Sequence, residues 1–524
     1  MNHPLFRSFK KHTKINYIHL SKPKLKICMK QLLAACLLIS LTFSAFSQKN
    51  NSATFEKYVQ NAIKVWKTPG MSMVVVKDGK VVYKNGFGVT ELGKPDAFST
   101  STLSICASTT KAMTAVCMGM LVDEGKIKWE DKVSDIYPPL KLNDSYASSE
   151  LTVRDLFTHN AGLGNADWFW VLGMNVDTIV NRMRLLQPAY SFRSSFIYQN
   201  LMYMIAGEVI HKVSGKTYDD FIKERLFVPL GMTHTYANFS LSANEPSHIT
   251  PHFMYDDSVV KPIKFIEPTG IDAAGGVWSS ADDISKWVMF MLDSATVNGK
   301  KLLKAETYDE LFKPQVMVTD EEFYPTQKAS KPHWKTYGLG WFQEDYRGNM
   351  LQFHTGSLDG AVAIIGLIPD QHFGVYIFGN RDHTELRHAL MYKAIDLWCF
   401  NDNSRDWSME LFALYKKIKE EAKKKEKEKE AKRVMNTIPP VEMSGYEGKY
   451  KNETFGNAEI VFHDDTLWLK YPNNITLYLS HWNYNTFVGK YTYEWYSKSF
   501  IQFSLDEMGK VSQFEMDGLV YKKE

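Results

Sequence analysis

Ser108 and Lys111 stand three residues apart in Ser108-Thr109-Thr110-Lys111. On a helix this spacing puts a hydroxyl and an amine on one face, one turn apart. A serine hydroxyl is a poor nucleophile at neutral pH and needs a neighbouring base to take its proton. A lysine can be that base only if its pKa falls from about 10.4 toward 7, roughly 4 kcal/mol of differential desolvation and charge effects. The backbone N–H at a helix head is also well aimed to stabilise an oxyanion. The chemistry this pair predicts is acyl transfer through a covalent ester on Ser108. The spacing alone is common, since Ser8 with Lys11 and Ser21 with Lys24 share it. The bland reading makes Ser108 a helix cap and Lys111 a snorkelling surface lysine. The setting favours chemistry: from Ala107 to Asp123 the apolar Met113, Val116, Cys117, Met120 and Leu121 follow helical spacing and Gly125 supplies a stop. That pattern predicts a strongly amphipathic, buried helix with the pair at its head.

Two further triplets complete the candidate set. Tyr198-Gln199-Asn200 immediately precedes an apolar helix predicted from Leu201 to Val213, so a phenol and an amide can point from a loop into a cleft. Tyr236-Ala237-Asn238 has the same spacing but sits in the loop after Pro229-Leu230-Gly231-Met232 with no companion motif. Standing alone, Tyr198 would be a half-buried packing tyrosine. His354-Thr355-Gly356 ends a predicted strand, Leu351 to His354, where an edge can offer backbone hydrogen bonds to an extended substrate and Gly356 permits close approach. Ser357 N–H is the candidate second oxyanion donor. His354 has its own bland reading, an ordinary histidine at a strand end.

The elements that must position these groups follow from periodicity and turn chemistry. Helix-period residues run from Asn51 to Trp66, then β-rich Met71 to Val76 and Val81 to Tyr83 form a hairpin across Lys77-Asp78-Gly79-Lys80. Roughly Glu130 to Met350 mixes helices, such as Ser280 to Leu292, with long loops that often carry sites. Leu351 to His354, Ala361 to Ile368 and Phe373 to Phe378 predict an antiparallel meander covered by a helix from Glu385 to Trp398. Glu410 to Arg433 is dense in Lys and Glu and predicts a solvated helical spacer ended by Pro439-Pro440. Alternating segments beyond Met443 (Glu459 to Phe462, Thr466 to Tyr471, Thr476 to Ser480, Phe500 to Ser504) predict a small β-barrel or sandwich. The expected class is α/β (α+β), an antiparallel sheet flanked by helices with a mostly helical lobe, followed by a small all-β barrel. The expected division is a leader over 1–47, a catalytic domain over 48–403, a charged linker over 404–440 and the barrel over 441–524.

Composition narrows the function classes. With 524 residues, 44% hydrophobic and 23% charged, the chain can bury a sizeable core and is not wholesale disordered. Eight of its 62 basic residues, and none of its 59 acidic ones, lie before an apolar run from Leu32 to Phe46 that ends in Ala45-Phe46-Ser47. This reads as a secretory signal, and cleavage after Ser47 leaves a net charge of about −5, against nucleic-acid binding by bulk charge. Met29 beside Lys30 is an alternative start. Leu33-Ala34-Ala35-Cys36 is a candidate lipid-attachment site, although most of the apolar run follows the cysteine. The run is too short to span a membrane, which takes about 20 apolar residues. The expected location is therefore exported, periplasmic or secreted, or tethered by lipid. Cys106, Cys117 and Cys399 give no disulfide framework. With no Cys-x-x-Cys, His-Glu-x-x-His, Walker loop or G-x-G-x-x-G after a strand, neither metal nor cofactor is expected.

The three motifs in this order, on a helix, a loop and a strand, resemble the serine β-lactamase and penicillin-binding protein superfamily, specifically its class C branch, in which Tyr-x-Asn stands where class A enzymes carry Ser-Asp-Asn. Leu156-Phe157-Thr158-His159-Asn160-Ala161-Gly162-Leu163, Pro229-Leu230-Gly231-Met232, Gly275-Gly276-Val277-Trp278-Ser279-Ser280 and Tyr337-Gly338-Leu339-Gly340-Trp341 look like the same branch, and the resemblance spans about Phe55 to Phe400. It implies Ser108 as acylated nucleophile, Lys111 and Tyr198 sharing proton transfer in acylation and in water attack, and Asn200 orienting the lysine and the substrate amide. It further implies Ser108 and Ser357 N–H as the oxyanion hole, with His354, Thr355, Gly356 and Ser357 along the substrate. The departure is His354, where class C β-lactamases usually carry lysine. A mostly neutral histidine holds a substrate carboxylate more weakly. His-Thr-Gly is similar to D-alanyl-D-alanine carboxypeptidase and D-aminopeptidase members, and the C-terminal strands, with Tyr446-Glu447-Gly448-Lys449-Tyr450 and Leu479-Ser480-His481-Trp482, look like a lipocalin-like domain. The expected function is an exported serine hydrolase acting on a peptide amide of D-amino-acid type or an ester. A class C-like β-lactamase and a non-catalytic cell-wall peptide-binding protein are the rivals. Partners are a small-molecule or peptide substrate, cell-wall peptide among them, and no nucleic acid. Trp168, Phe169 and Trp170 are candidates to wall the cleft.

Overall fold

The computed structural model of the chain describes residues 50–266 and 268–524. The leader predicted over 1–47, with its apolar run and Cys36, lies outside the described residues. A compact unit spans Phe55–Glu524. Its first strands, β1 (Gly70–Lys77) and β2 (Lys80–Gly88), are joined through Asp78 and Gly79 at φ 52° and 71°. Two consecutive positive φ values define the turn that matches the natural twist of a hairpin, and Asp-Gly supplies it.

Six later strands complete the sheet: β3 (Val316–Met317), β4 (Lys335–Tyr337), β5 (Phe342–Tyr346), β6 (Asn349–Leu358), β7 (Ala361–Ile368) and β8 (Phe373–Gly379). The eight-stranded order is β2-β1-β8-β7-β6-β5-β4-β3, antiparallel throughout. Its central strands are unbroken apolar runs because both faces are covered. Val74, Val76, Ile365 and Tyr376 enter one core with Trp287, while Met73, Val75, Ile364 and Ile377 enter another with Leu390 and Ile395. Alternate side chains thus feed two cores, so no polar face survives to be read as alternation.

The helix that follows Ser108, α1 (Thr110–Asp123), corrects the expectation of an amphipathic element. It is buried without a break from Thr110 to Leu121. It packs against α2 (Leu201–Ser214) and the π-helical turn Asp272–Gly276, with Ala305–Phe312 alongside. A helix enclosed on every side needs no polar stripe. Helices α3 (Ala281–Leu292) and α4 (Leu386–Phe400) cover the sheet, with Ser280 capping α3 by accepting from Asp283 N–H. The triplet at His354 is likewise not at a strand end. It lies inside β6, whose residues up to Phe353 pair with β5 and whose residues to Leu358 pair with β7. From His354 onward the β5 side of β6 has no ladder partner among the described residues, which leaves an open edge within an interior strand.

A charged helix, α5 (Trp407–Ala431), buries only Trp407, Ser408 and Leu411. Exposed pairs such as Lys416 with Glu420 add little on a solvated surface. Beyond it, eight strands from Gly448–Asn452 to Leu519–Lys523 close into a barrel, sealed where Tyr450 pairs with Lys523. Tyr446, on the turn Met443–Tyr446, enters the barrel and packs on Phe487 and Phe503 at ring separations of 5.1 and 4.6 Å. Phe514 and Tyr521 stack beside them at 4.8 Å, so the lipocalin-like barrel is filled by side chains. Cys106, Cys117 and Cys399 are unpaired. No helix among the described residues is long and apolar enough to cross a membrane.

Candidate active site

The chain reaches Ser108 through Ala107, which holds φ at 45°. A non-glycine residue in the left-handed region costs about 1–3 kcal/mol and persists where packing over-determines it. Packing does so here. The 3₁₀ turn Ala107–Thr109 leads directly into α1, and Thr109 Oγ1 donates to Cys106 C=O at 2.9 Å. Across the turn runs β6, so close that a Cβ at Gly356 would stand 2.1 Å from the Cys106 carbonyl oxygen. Only glycine lets the strand lie against the Ser108 turn at this point.

Lys111 is fully buried, and its Nζ donates to Ser108 Oγ at 3.1 Å, to Asn200 Oδ1 at 2.6 Å and to Ala274 C=O at 2.8 Å. Burial lowers its pKa to about 7, with the nearby Asp167 carboxylate opposing the shift. The amine also lies 4.9 and 5.1 Å from the ring centres of Tyr198 and Tyr203. Asn200 is held in turn, its Nδ2 donating to the two oxygens of Asp167 at 3.0 and 3.2 Å.

Burial raises the Tyr198 phenol well above 10, and the adjacent Ser108 hydroxyl offsets this only in part. The phenol oxygen is buried without a partner at strict hydrogen-bond distance. His159, itself at φ 57°, packs on the Tyr198 ring at 4.3 Å and accepts Gln199 N–H at Nδ1, 3.0 Å away. Burial, more than the charges of Lys111 and His354, keeps His159 neutral.

His354 is also enclosed. Its Nδ1 donates to Thr355 C=O at 2.6 Å and its Nε2 accepts from Tyr337 Oη at 3.0 Å, while burial lowers its pKa to about 3. It is neutral and committed on both nitrogens. Thr355 Oγ1 lies 2.6 Å from Tyr324 Oη. Ser357 Oγ accepts from Arg387 Nη1 at 2.8 Å, and Arg387 also pairs with Glu385 at 3.0 Å.

A cavity of about 230 Å³ opens over this arrangement. Ser108, Asn200 and Ser357 line it, together with Asp167, Trp170, Leu358 and Asp359. The structure therefore brings Ser108, Lys111, Tyr198 and Asn200 together and sets Ser357 on the same cavity. His354, Thr355 and Gly356 are not among the residues that line it. Of the three aromatic wall candidates, Trp170 faces the cavity, whereas Trp168 packs on Tyr471 and Phe169 on Phe455, both from the barrel.

Sequence reasoning missed Asp167, His159 and the barrel's own contribution, Ile475 and Tyr496, which also line the cavity. His159 lay inside a quoted motif, yet nothing in its residue type tied it to Tyr198. Asp167 has no spacing relation to Asn200, 33 residues away. Only long-range packing joins them.

Comparison with known proteins agrees with this geometry. Residues 55–397 match the family described as Beta-lactamase, and the chain belongs to it. Residues 432–523 match a Domain of unknown function (DUF3471). Among curated relatives, Unguisins hydrolase ungD' of Aspergillus campestris (strain IBT 28561) is 25% identical over 431 residues, 78% of each chain. Protein flp of Staphylococcus aureus (strain N315) is 25% identical over 338 residues, 62% of each chain. The octameric penicillin-binding protein homologue from Pyrococcus abyssi superposes with a TM-score of 0.57 at 21% identity, covering 90% of this chain and 99% of its own. SurE superposes with a TM-score of 0.53 at 16% identity, covering 92% and 100%. These two structures share the fold. The protein is a serine hydrolase of the beta-lactamase family.

Proposed function

We propose that the chain is an exported hydrolase that cleaves a small amide or ester through an acyl-enzyme on Ser108, with amides of D-amino-acid peptides and short esters as substrate classes. One observation carries the reading: a fully buried amine, lowered to about 7, donates to the Ser108 hydroxyl at 3.1 Å. At neutral pH a large share of Lys111 is the free amine and can accept a proton. Tyr198, held well above 10, is a phenol and not a phenolate, so it serves as donor and relay while Lys111 is the base.

In acylation Ser108 Oγ attacks the substrate carbonyl as its proton passes to Lys111 Nζ. The tetrahedral oxyanion is met by the N–H groups of Ser108 and Ser357. Its collapse breaks the bond to the leaving group, which takes a proton from Lys111 through Tyr198. Water then attacks the ester with Lys111 again as base, releasing the acid and restoring Ser108. Export is supported by the apolar run from Leu32 to Phe46 behind a basic leader.

The test is intact-mass spectrometry of the full chain with a fluorophosphonate and with an activated ester. A Ser108 adduct that Ser108→Ala abolishes is expected, and an adduct elsewhere, or none, overturns the reading. Turnover of a D-Ala-D-Ala peptide, a short aryl ester and a chromogenic cephalosporin then separates peptidase, esterase and β-lactamase.

A further inference from the structure

The barrel is part of the cavity as well as its neighbour. The loop between the barrel strands Thr486–Tyr491 and Ser499–Leu505 carries Trp495 and Tyr496, and both reach back to Asp359 in the turn between β6 and β7. Trp495 Nε1 donates at 2.9 Å and Tyr496 Oη at 3.0 Å, both to Oδ2 of Asp359. No hydrogen bond to Oδ1 is found among the described residues, and Asp359 lines the same cavity as Ser108. The carboxylate is thus fixed through one oxygen, with the other left available.

The charge of the cavity agrees. Its acidic lining among the described residues is Asp167 and Asp359, with no Lys, Arg or His. Asp167 is already spent on Asn200. The Arg387 guanidinium, bonded to Ser357, is engaged by Glu385, Ser357 Oγ and main-chain carbonyls. His354 is neutral and occupied. Among the described residues that line the cavity a substrate carboxylate meets no cation, whereas a substrate ammonium meets the Asp359 carboxyl, whose position is already set although burial raises its pKa above the usual carboxylate value. The cavity, about 230 Å³, lies below the range of about 300–1,000 Å³ usual for drug-sized ligands and suits a single terminal residue.

Resting on the acyl-enzyme reading above, we infer that Asp359, held by Trp495 and Tyr496 of the barrel, is the specificity residue of the cleft and selects short acyl donors carrying a free, protonated amine. The barrel then acts in substrate choice, since without its two donors the carboxylate is no longer aimed. A charge-assisted hydrogen bond at a partly buried site is worth about tenfold or more in selectivity.

The test uses the full chain and the p-nitrophenyl esters of alanine and of N-acetylalanine, with fluorophosphonate labelling of Ser108 run in parallel. The expected result is a higher kcat/KM for the free-amine ester, by about tenfold or more. That ratio collapses in Asp359→Asn, chiefly through KM, and falls by a smaller factor in Tyr496→Phe, which keeps the carboxylate and removes one donor. Equal rates for the two esters in the unmodified chain, with Ser108 labelled, overturn this inference and leave the hydrolase reading standing. An equal loss on both esters in Asp359→Asn also overturns it, because a merely structural role would move both. Absence of Ser108 labelling together with no turnover of either ester overturns both readings.

Discussion

The two walls of the cleft are built on different terms. On the nucleophile side the reactive groups belong to the core: Lys111 is enclosed, and its three acceptors come from the turn at Ser108, the loop at Asn200 and the segment at Ala274. On the barrel side the contacts come from loops, with Tyr496 and Ile475 at the cavity and Arg182 Nη1 donating to Thr454 C=O at 3.1 Å. The first wall sets a pKa, which requires exclusion of water. The second adds Ile475 and Tyr496 to the cavity and fixes the Asp359 carboxyl, which a surface loop can do. Under the specificity role proposed for Asp359, chemistry depends on the first wall and selection on its contact with the second, so the two can be perturbed one at a time.

The largest effect belongs to the nucleophile side. Ser108→Ala removes the covalent step, and hydrolysis of an activated ester falls on the order of 10³-fold or more, read alongside loss of the mass adduct. Next is Lys111→Met, which keeps the stem and deletes the base, with an expected loss of about 10²- to 10⁴-fold in the acylation rate by stopped-flow. If that variant acylates at the unmodified rate, the nucleophile wall has been misread.

The barrel side should respond in stability first. Phe514 is fully buried against Tyr450 and Tyr521, and Phe514→Ala should cost the barrel about 3–5 kcal/mol in a denaturant melt while Ser108 remains open to fluorophosphonate. Loss of labelling in step with barrel melting would show the two walls to be one cooperative unit.

The smallest effect refines the base. The rate of acylation should climb as pH rises through about 7 and then level, because Lys111 must lose its proton to act. Asp167 opposes the lowering of that pKa. Asp167→Asn removes the anion that favours the ammonium, so the rising limb should move to lower pH. A shift to higher pH would contradict the electrostatic role given to Asp167.

Much of the fold was legible because local signals carried it. Asp78-Gly79 announced its hairpin, the runs at Ala361 and Phe373 announced strands, and Lys-Glu density announced α5. The errors have one physical origin. The β-rich spacing ends the strand at His354, yet pairing with β7 carries it on to Leu358. The helix at Ser108 was expected to be amphipathic because its apolar spacing was helical, yet Thr110, Lys111 and Thr114 are buried too. Tertiary partners, Asn200 and Ala274 for Lys111 and Tyr218 and Ala273 for Thr114, satisfy the polar groups that local reasoning assigned to water.

By itself the sequence determined which groups are present and in what order: a hydroxyl with an amine one turn away, a phenol and an amide ahead of a helix, a glycine where a strand must pass close. Those choices are local, since spacing along a helix or a turn fixes them. The tertiary structure alone decided that the amine is dry enough to be a base, that the histidine is locked away from the cavity, and that a barrel more than a hundred residues downstream completes the wall. Desolvation and charge at a point depend on everything within a few ångströms, and those neighbours come from parts of the chain that no spacing rule connects.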